Sequence, residues 1–225
     1  MPKRRLSQEM LKLIACVTML VDHIGATLVP WYGLRMIGRI SFPIFCFLLV
    51  EGFHHTRNRK RYGIRLALWA LLCELPYDAL FFGRVQWQNQ NVMLTLFLGF
   101  LVLLGSCRGG GIRFWPLVAG CLAAEFLGAD YGAYGIALIW LMALTRSGYG
   151  GKWLLPLGMT GIFYLMGSPV SPVLGIPIQL YGVLACIPLR YYSGKKQLRS
   201  PWVQWAFYLF YPAHLLILWA ISLRV

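Results

Sequence analysis

The chain has 225 residues, of which 59% are hydrophobic and only 12% are charged, and its 21 Lys and Arg residues outnumber seven Asp and Glu residues. A soluble domain averages about 25% charged residues, so this sequence carries too few polar side chains to cover a water-exposed surface. The composition therefore excludes an ordinary soluble protein and an intrinsically disordered one.

Long apolar segments follow one another along the whole chain. A bilayer core about 30 Å thick takes about 20 apolar residues in a helix, and nine segments approach this length between polar breaks. They are residues 11–29, 37–53, 63–82, 92–107, 114–127, 132–145, 153–166, 172–189 and 203–223. The fifth, sixth and seventh are short, so eight or ten spans would also fit. We predict an all-α, polytopic membrane protein with about nine transmembrane helices and a single domain over residues 1–225.

Basic residues set the predicted orientation, because Lys and Arg that flank spans stay on the cytoplasmic side. With a cytoplasmic N-terminus, 17 of the 21 basic residues fall in cytoplasmic loops. The four exceptions are Arg35, Arg39, Arg84 and Arg224. The formal net charge of +14 is then explained by topology and by contact with anionic lipids. Nucleic-acid binding is not expected.

The cysteines give no sign of a metal site or of a disulfide framework. They are Cys16, Cys46, Cys73, Cys107, Cys121 and Cys186. Most lie inside predicted spans, none forms a C-x-x-C pair, and none clusters with histidines. We interpret them as small packing residues and expect no metal.

Ionisable side chains inside apolar spans are functional candidates, because such a group is costly in a membrane unless it is paired or hydrated. In chain order they are Asp22, His23, Glu51, Glu74, Asp78, Glu125 and His214. His23 can serve as a general base, and a neighbouring carboxylate such as Asp22 could fix its tautomer. A histidine that only holds two helices together by a hydrogen bond explains this pair equally well.

Several motifs along the chain resemble the TraX family. M-L-V-D-H-I-G at residues 19–25 is followed by G-R-I-S-F-P-I-F at 38–45, E-G-F-H-H-T-R-N at 51–58 and E-L-P at 74–76. Q-L-Y-G at 179–182 and F-Y-P-A-H at 210–214 are similar to late motifs of that family. The resemblance covers nearly the whole chain.

TraX proteins are named for the conjugation factor that acetylates the pilin N-terminus. They are grouped with integral-membrane acyltransferases that use cytoplasmic acetyl-CoA to acetylate cell-envelope sugars. The resemblance therefore implies an acetyl-CoA-dependent N- or O-acyltransferase of the bacterial inner membrane. His23 matches the catalytic histidine of those relatives, and Arg39 matches their arginine before an aromatic run. Glu51 stands where they usually have a serine.

Acyl transfer needs a base, donors for an oxyanion and cations for the phosphates of coenzyme A. The predicted catalytic residues are His23, Asp22, Arg39 and Glu74. The predicted coenzyme A site is the basic loop with His54, His55, Thr56, Arg57, Asn58, Arg61 and Arg65. Candidates for substrate binding are Glu51, Gln179, Tyr181, Tyr211 and His214.

Some of these assignments stay open. A positive-inside anchor explains the charge of the basic loop equally well, although Thr56 and Asn58 favour a specific ligand site. Glu74 and Asp78 could pair with Arg39 or Arg84, and for Glu74 this structural role and catalysis are equally supported. A pilin N-terminus, an envelope glycan and a small amine all fit as acceptor. The side of acceptor entry and the oligomeric state are not determined.

Two other classes of function fit the composition. Buried Asp, Glu and His in a helical bundle also make the proton relays of transporters and channels. That class predicts broken helices or an internal repeat, and neither is evident. A non-enzymatic pilin assembly factor is the other alternative, but it gives no reason for a histidine beside an arginine-aromatic motif.

Overall fold

The computed structural model describes residues 6–106, 113–146, 154–166, 175–195 and 200–224. The α-helices are α1 (Gln8–Thr27), α2 (Tyr32–Gly38), α3 (Ser41–His55), α4 (Arg59–Phe82), α5 (Val92–Ser106), α6 (Trp115–Phe126), α7 (Gly132–Arg146), α8 (Leu154–Met166), α9 (Cys186–Arg190) and α10 (Pro201–Ser222). A 3₁₀ helix, Ile178–Ala185, leads directly into α9. The all-α prediction is confirmed. The predicted topology residues Lys3, Arg4, Arg5, Arg108, Lys152, Lys196 and Arg199, and also Cys107, lie outside the described residues.

Each of the nine predicted segments contains a helix in its described part. Within the described part of the chain, three helical stretches are long and apolar enough to cross a membrane, namely Gln8–Thr27, Tyr32–His55 and Trp202–Ser222. The other apolar helices are shorter, with 10–17 residues, and at 1.5 Å per residue they fall short of a bilayer core about 30 Å thick. α4 has 24 residues but carries charged side chains. The helices are those of a membrane-associated protein.

Local sequence signals explain where the long helices begin and end. Ser7 accepts a hydrogen bond from Met10 N and caps the start of α1. The negative charge of Glu9 in the first turn interacts favourably with the positive end of the helix dipole. Asn58 caps α4 in the same way. α4 ends at Gly83, whose φ of 64° is a left-handed conformation that glycine adopts without strain.

The chain forms two compact units. The first comprises Met1–Leu48 and Met159–Val225, and therefore both ends of the chain. In it α1 packs against α2 and α10, and α2 packs against the 3₁₀ helix. Its buried side chains include Leu11, Ala15, Ile44, Leu48 and Ala185.

The second unit comprises Leu49–Gly158, with the end of α3 and helices α4 to α7. α5 lies centrally in it and packs against α4, α6 and α7. The core includes Leu98, Val102, Leu117, Ala124 and Ile136. The loops that precede α5 and follow α6 are joined by backbone hydrogen bonds, from Gln90 N to Gly128 O at 2.7 Å and from Asp130 N to Gln90 O at 2.9 Å.

Candidate active site

A buried carboxylate of the first unit holds two arginines. Asp22 lies near the end of α1 and is only 6% exposed. Its Oδ2 accepts hydrogen bonds from Arg35 Nη1 at 2.7 Å and from Arg39 Nη2. Arg35 lies in α2 and Arg39 is the C-cap of that helix. Because they are four residues apart, the two side chains share one face. The Arg39 side chain is 6% exposed and the Arg35 side chain 31%, so Arg35 is the more accessible of the two.

Arg39 is fixed by further contacts within the same unit. Its Nη1 donates to Gln179 Oε1 on the 3₁₀ helix at 3.3 Å, and its Nε donates to the carbonyl oxygen of Arg35 at 3.3 Å. α1 and α2 approach closely here, because Gly38 has no side chain: a Cβ at this position would overlap the carboxyl group of Asp22. The guanidinium of Arg39 therefore has one well-determined orientation.

Next to Asp22 along α1, His23 forms a hydrogen bond with His214 of α10. His23 Nδ1 lies 2.7 Å from His214 Nε2, and the two rings are nearly parallel, with an interplanar angle of 9°. His214 Nδ1 lies 2.8 Å from the carbonyl oxygen of Phe210. His214 is 4% exposed, and the Tyr211 ring packs against it at 5.6 Å between centroids.

The carbonyl of Phe210 assigns the protons of this histidine pair. A carbonyl oxygen only accepts, so Nδ1 of His214 is the N–H donor and Nε2 of the neutral ring is the acceptor. His23 then donates from Nδ1, and its Nε2 bears the lone pair. The arrangement orients His23 and leaves it the tautomer that a general base requires.

This geometry corrects the predicted pairing of the site residues. Asp22 does not orient His23, because both of its hydrogen bonds go to guanidinium groups. His214, predicted to bind substrate, is instead the hydrogen-bond partner of the predicted base. Sequence reasoning missed Arg35, which had been read only as an exception to the positive-inside rule. Its spacing of four residues from Arg39 was the available signal.

Gln179 and Tyr181 have different positions in the 3₁₀ helix. Such a helix has three residues per turn, so Gly182 follows Gln179 on the same face, and a Cβ at Gly182 would lie 3.1 Å from Arg39 O. Tyr181 is turned about 120° away from that face. Its buried hydroxyl has no hydrogen-bond partner among the described residues. Gln179 thus joins the arginine cluster, whereas Tyr181 has no such contact.

In the second unit, Glu74 holds the start of α5. Its Oε2 accepts from Asn91 N at 3.2 Å and from Asn91 Nδ2. Nδ2 of Asn91 also donates to Ala70 O at 2.8 Å, and its Oδ1 accepts from Met93 N at 2.9 Å. The predicted alternative that Glu74 pairs with an arginine is therefore wrong. Its partner is the capping residue of the next helix.

The other in-span acids of this unit make similar contacts. Asp78 accepts from Gln86 N at 3.0 Å and from Gln86 Nε2 at 3.4 Å, so its predicted arginine partner is also replaced by an amide. Glu125 Oε1 accepts from Ala133 N at 2.7 Å, in the first turn of α7. A carboxylate is favourable there because it satisfies backbone N–H groups at the positive end of a helix.

Glu51 lies buried near the end of α3 and forms an ion pair with α7. Its Oε1 is 2.9 Å from Arg146 Nε, and its Oε2 is 3.7 Å from His55 Nδ1. His55 Nδ1 also donates to the carbonyl oxygen of Glu51 at 2.8 Å. Glu51, predicted to bind substrate, therefore has a protein partner in Arg146, which sequence reasoning did not connect with it.

The basic loop is a tight turn between α3 and α4. Asn58 Oδ1 accepts from Arg61 N at 2.9 Å, and Thr56 Oγ1 donates to Asn58 O at 3.4 Å. These contacts give Thr56 and Asn58 a structural role in the turn, and the ligand site there stays a prediction. The guanidinium of Arg59 lies over the Phe53 ring at 4.3 Å. The exposed basic side chains are His54, His55, Arg57, Arg59, Lys60, Arg61 and Arg65.

Comparison with known proteins agrees with the motifs of the chain. The family model described as TraX protein matches residues 7–222. The chain belongs to the TraX family. It is similar to a probable fimbrial assembly protein FimC, serogroup H1, of Dichelobacter nodosus, with 29% identity over 92% of each chain. It is also similar to an uncharacterized protein of Rickettsia prowazekii (strain Madrid E), with 30% identity over 41% of this chain and 34% of the relative. No solved structure matches it significantly.

In this TraX family member, the structure gathers most of the predicted unit-one site residues into two linked groups. One group is the arginine cluster, which we define as Asp22, Arg35, Arg39 and Gln179. The other is the histidine pair of His23 and His214. The groups are linked because Asp22 and His23 are consecutive residues of α1. The first unit therefore places a candidate base beside two arginine side chains.

Proposed function

We propose that the protein is a multi-pass acyltransferase of the bacterial inner membrane. It moves an acetyl group from cytoplasmic acetyl-CoA to an amine or hydroxyl acceptor. The observation that carries this proposal is the hydrogen-bonded histidine pair, in which a buried, neutral His214 orients His23 and leaves Nε2 of His23 as the base. Membership of the TraX family supports the same reaction class.

His23 would act first as base and then as acid. Its Nε2 removes a proton from the acceptor while the acceptor's nitrogen or oxygen forms a bond to the thioester carbonyl carbon. The carbon–sulfur bond then breaks, and His23 returns the proton to the departing sulfur. Throughout, Nδ1–H of His23 stays bonded to His214, whose own Nδ1–H is held by the Phe210 carbonyl.

The arginine cluster would stabilise the negative charge that develops on the carbonyl oxygen. Arg39 is buried and held by Asp22 and Gln179, so its donors need no reorganisation during the reaction. A preorganised donor of this kind contributes about 3 to 4 kcal/mol to the transition state in acyl-transfer enzymes. Arg39 is therefore the residue to which we assign this role.

The exposed basic side chains of the α3–α4 turn would bind the phosphates of coenzyme A. They surround the N-terminus of α4, where backbone N–H groups add to the attraction for an anion. With the N-terminus in the cytoplasm, this turn faces the compartment that supplies acetyl-CoA. Arg57 and Arg61 are the most direct candidates, because neither side chain is assigned to another contact in the described structure.

Contacts within each unit support the nine-span topology and the cytoplasmic N-terminus. In the first unit, Leu6 N donates to Tyr191 O at 3.1 Å, which joins two segments that this topology places in the cytoplasm. In the second unit, the ion pair of Glu51 with Arg146 joins two predicted cytoplasmic ends. The backbone bonds between the loops before α5 and after α6 join two predicted outer loops.

The test is a transfer assay with detergent-purified protein and labelled acetyl-CoA. The acceptor panel contains an N-terminal pilin peptide, envelope sugars and small amines. His23→Ala is expected to lower transfer at least about 100-fold, and His214→Ala to lower it less, because His23 remains but loses its orientation. Gly161→Ala is the matched control, since a Cβ there meets no atom within 4 Å. Well-folded wild-type protein that neither binds coenzyme A nor transfers or hydrolyses the label would overturn the proposal.

A second candidate is a non-enzymatic role in pilus assembly. It is favoured by the similarity to a probable fimbrial assembly protein over 92% of each chain. The two functions separate in cells that carry His23→Ala. Full pilus assembly by this variant, with normal amounts of the protein in the membrane, would support the assembly role. It would show that assembly does not require the proposed base.

A further inference from the structure

In the second unit, the ends of α3 and α7 meet at a buried carboxylate. Glu51 of α3 is 7% exposed, and its Oε1 lies 2.9 Å from Nε of Arg146, the last residue of α7. A guanidinium has five N–H donors in a planar fork, and one carboxylate engages at most two of them. The Arg146 side chain is 32% exposed, so it is accessible to a second anion. Glu51 thus orients an arginine that a ligand can still reach.

A second arginine and a histidine pack against one aromatic ring of the same unit. The guanidinium of Arg59, at the start of α4, lies over the Phe53 ring at 4.3 Å from its centroid. The His54 ring meets the same ring edge-on, with 5.4 Å between the two centroids. Phe53 is fully buried, so its ring is a fixed surface against which both polar groups are held. The contact with Arg59 is a cation–π interaction.

These groups converge at one end of the second unit. Glu51 and His54 are three residues apart on α3 and so share one face. His54 interacts electrostatically with both Arg59 and Arg146. We call Glu51, His54, Arg59 and Arg146 the Arg146 cluster. A positive-inside anchor requires basic residues near the ends of spans, but it requires neither a carboxylate nor an aromatic ring to orient them. Oriented donors from three helices are typical of an anion site.

The basic residues at the start of α4 lie on two sides of that helix. Arg59 and Arg61 are two residues apart, which corresponds to a rotation of about 200° around the helix axis. Because Arg59 lies over Phe53, Arg61 begins on the opposite side. Coenzyme A likewise carries two separate phosphate groups, a diphosphate and a monoester at the ribose 3′ position. A phosphate monoester carries a charge of about −1.5 to −2 at pH 7 and offers three acceptor oxygens, so it suits several converging donors.

We propose that Arg146, Arg59 and His54 bind the 3′-phosphate of coenzyme A. Glu51 is the positioning residue that orients Arg146. This inference rests on the proposed function and deepens it, because it divides recognition of the acyl donor between two sides of α4. The basic residues on the other side of α4 then serve the diphosphate. In the proposed topology the Arg146 cluster lies on the cytoplasmic side, where acetyl-CoA is supplied. A lipid headgroup with a phosphate monoester offers the same chemistry, and the test distinguishes it from coenzyme A.

The test compares coenzyme A with 3′-dephospho-coenzyme A, which lacks only this phosphate. Binding to the purified protein is measured by equilibrium dialysis in a neutral maltoside detergent. Wild-type protein should bind coenzyme A about tenfold or more tightly, as a charge-assisted hydrogen bond would give. Arg146→Gln should lose most of this preference, and Arg146→Lys should retain part of it. The matched control is Arg113→Gln, which removes an exposed arginine that the proposed topology places on the same side. It should retain the full preference.

Variants of Glu51 separate orientation from charge. Glu51→Ala removes a negative charge, so a site that acts by charge alone would bind coenzyme A more tightly and keep its preference. If Glu51 orients Arg146, this variant should instead lose most of the preference for the 3′-phosphate. Glu51→Gln keeps an acceptor oxygen for Nε of Arg146 and should retain the preference. If Glu51→Ala fails to fold, the comparison of wild-type protein with Arg146→Gln decides.

The outcomes separate this inference from the proposed function. Equal binding of the two compounds by wild-type protein would overturn the 3′-phosphate site and leave the enzyme unaffected. A full preference in Arg146→Gln would also overturn the site. Preference for coenzyme A without transfer or hydrolysis of labelled acetyl-CoA would support the site and contradict the enzyme. Short-chain phosphatidic acid is the lipid probe. If it binds in an Arg146-dependent way while the two coenzyme A compounds bind equally, the cluster belongs to a lipid headgroup and the inference is overturned.

Discussion

The two compact units bury their ionisable side chains in different ways. In the first unit, Asp22 gathers two arginines, and an imidazole orients a second imidazole. In the second, Glu74 and Glu125 accept hydrogen bonds at the starts of the helices that follow them. The first arrangement places two guanidinium groups on one carboxylate beside a hydrogen-bonded histidine pair, whereas the second satisfies backbone groups at the starts of helices. The position of an acid within an apolar helix therefore does not by itself indicate a reactive site. The groups that contact the acid distinguish a reactive role from a structural one.

The largest effect is expected from Asp22→Ala. This change removes the carboxylate that holds Arg35 and Arg39, and breaking a buried ion pair on one side costs about 3 to 5 kcal/mol. The measurement is the apparent melting temperature of the detergent-purified protein, together with acetyl transfer. Asp22→Asn is the matched control, because it keeps the shape and one acceptor oxygen and should lose less stability. If Asp22→Ala melts at the wild-type temperature, the arginines do not depend on this carboxylate.

Gly38→Ala is expected to lower the free energy of unfolding by about 1 to 3 kcal/mol. The added Cβ would overlap the carboxyl group of Asp22. The overlap must move α2 or the Asp22 side chain, so transfer should fall along with the melting temperature. Gly161→Ala adds the same methyl group in the same unit, where nothing lies within 4 Å, and should change neither. Equal behaviour of the two variants would show that the contact between α1 and α2 adapts easily.

The structural role of the second unit's acids is tested at Glu74. We expect Glu74→Ala to lower the free energy of unfolding by about 1 to 2 kcal/mol, because Asn91 N loses its acceptor. Glu74→Gln keeps an acceptor oxygen and should melt close to the wild-type temperature. Transfer per folded molecule should stay within a fewfold of wild type in both variants. A stable Glu74→Gln protein that transfers 100-fold more slowly would restore the catalytic role predicted from the sequence and would remove the contrast between the units.

These partners also show what sequence reasoning could reach. Helices were predictable because a long apolar run is a local property, and His23, Asp22 and Arg39 were identifiable because they interrupt such runs. Pairings were not predictable, since they depend on which helices meet. The hydrogen bond of His23 joins residues 191 positions apart, and the ion pair of Asp22 with Arg35 requires a turn between α1 and α2. The bond from Met93 N to Asn91 Oδ1 is a local helix cap, but the pairing of Asn91 with Glu74 spans 17 positions and was not predicted.

The smallest effect on stability is expected at the α3–α4 turn, where helix capping can be separated from coenzyme A binding. Asn58→Ala removes the cap of α4 and should lower the free energy of unfolding by about 1 kcal/mol. Its coenzyme A affinity should stay within about twofold of wild type, because the Asn58 side chain is occupied by the helix. The double variant Arg57→Gln with Arg61→Gln should melt like wild type but bind coenzyme A several-fold more weakly.

Reporter fusions at the two chain ends check topology in the same double variant. An inverted or mixed orientation with unchanged coenzyme A affinity would identify the basic residues as a positive-inside anchor. Weaker affinity with unchanged orientation would identify them as a phosphate site. Because both variants alter the same short turn, the difference between them isolates exposed charge from helix capping. The second unit would then contain one functional surface, at its exposed basic turn, and its buried acids would remain structural.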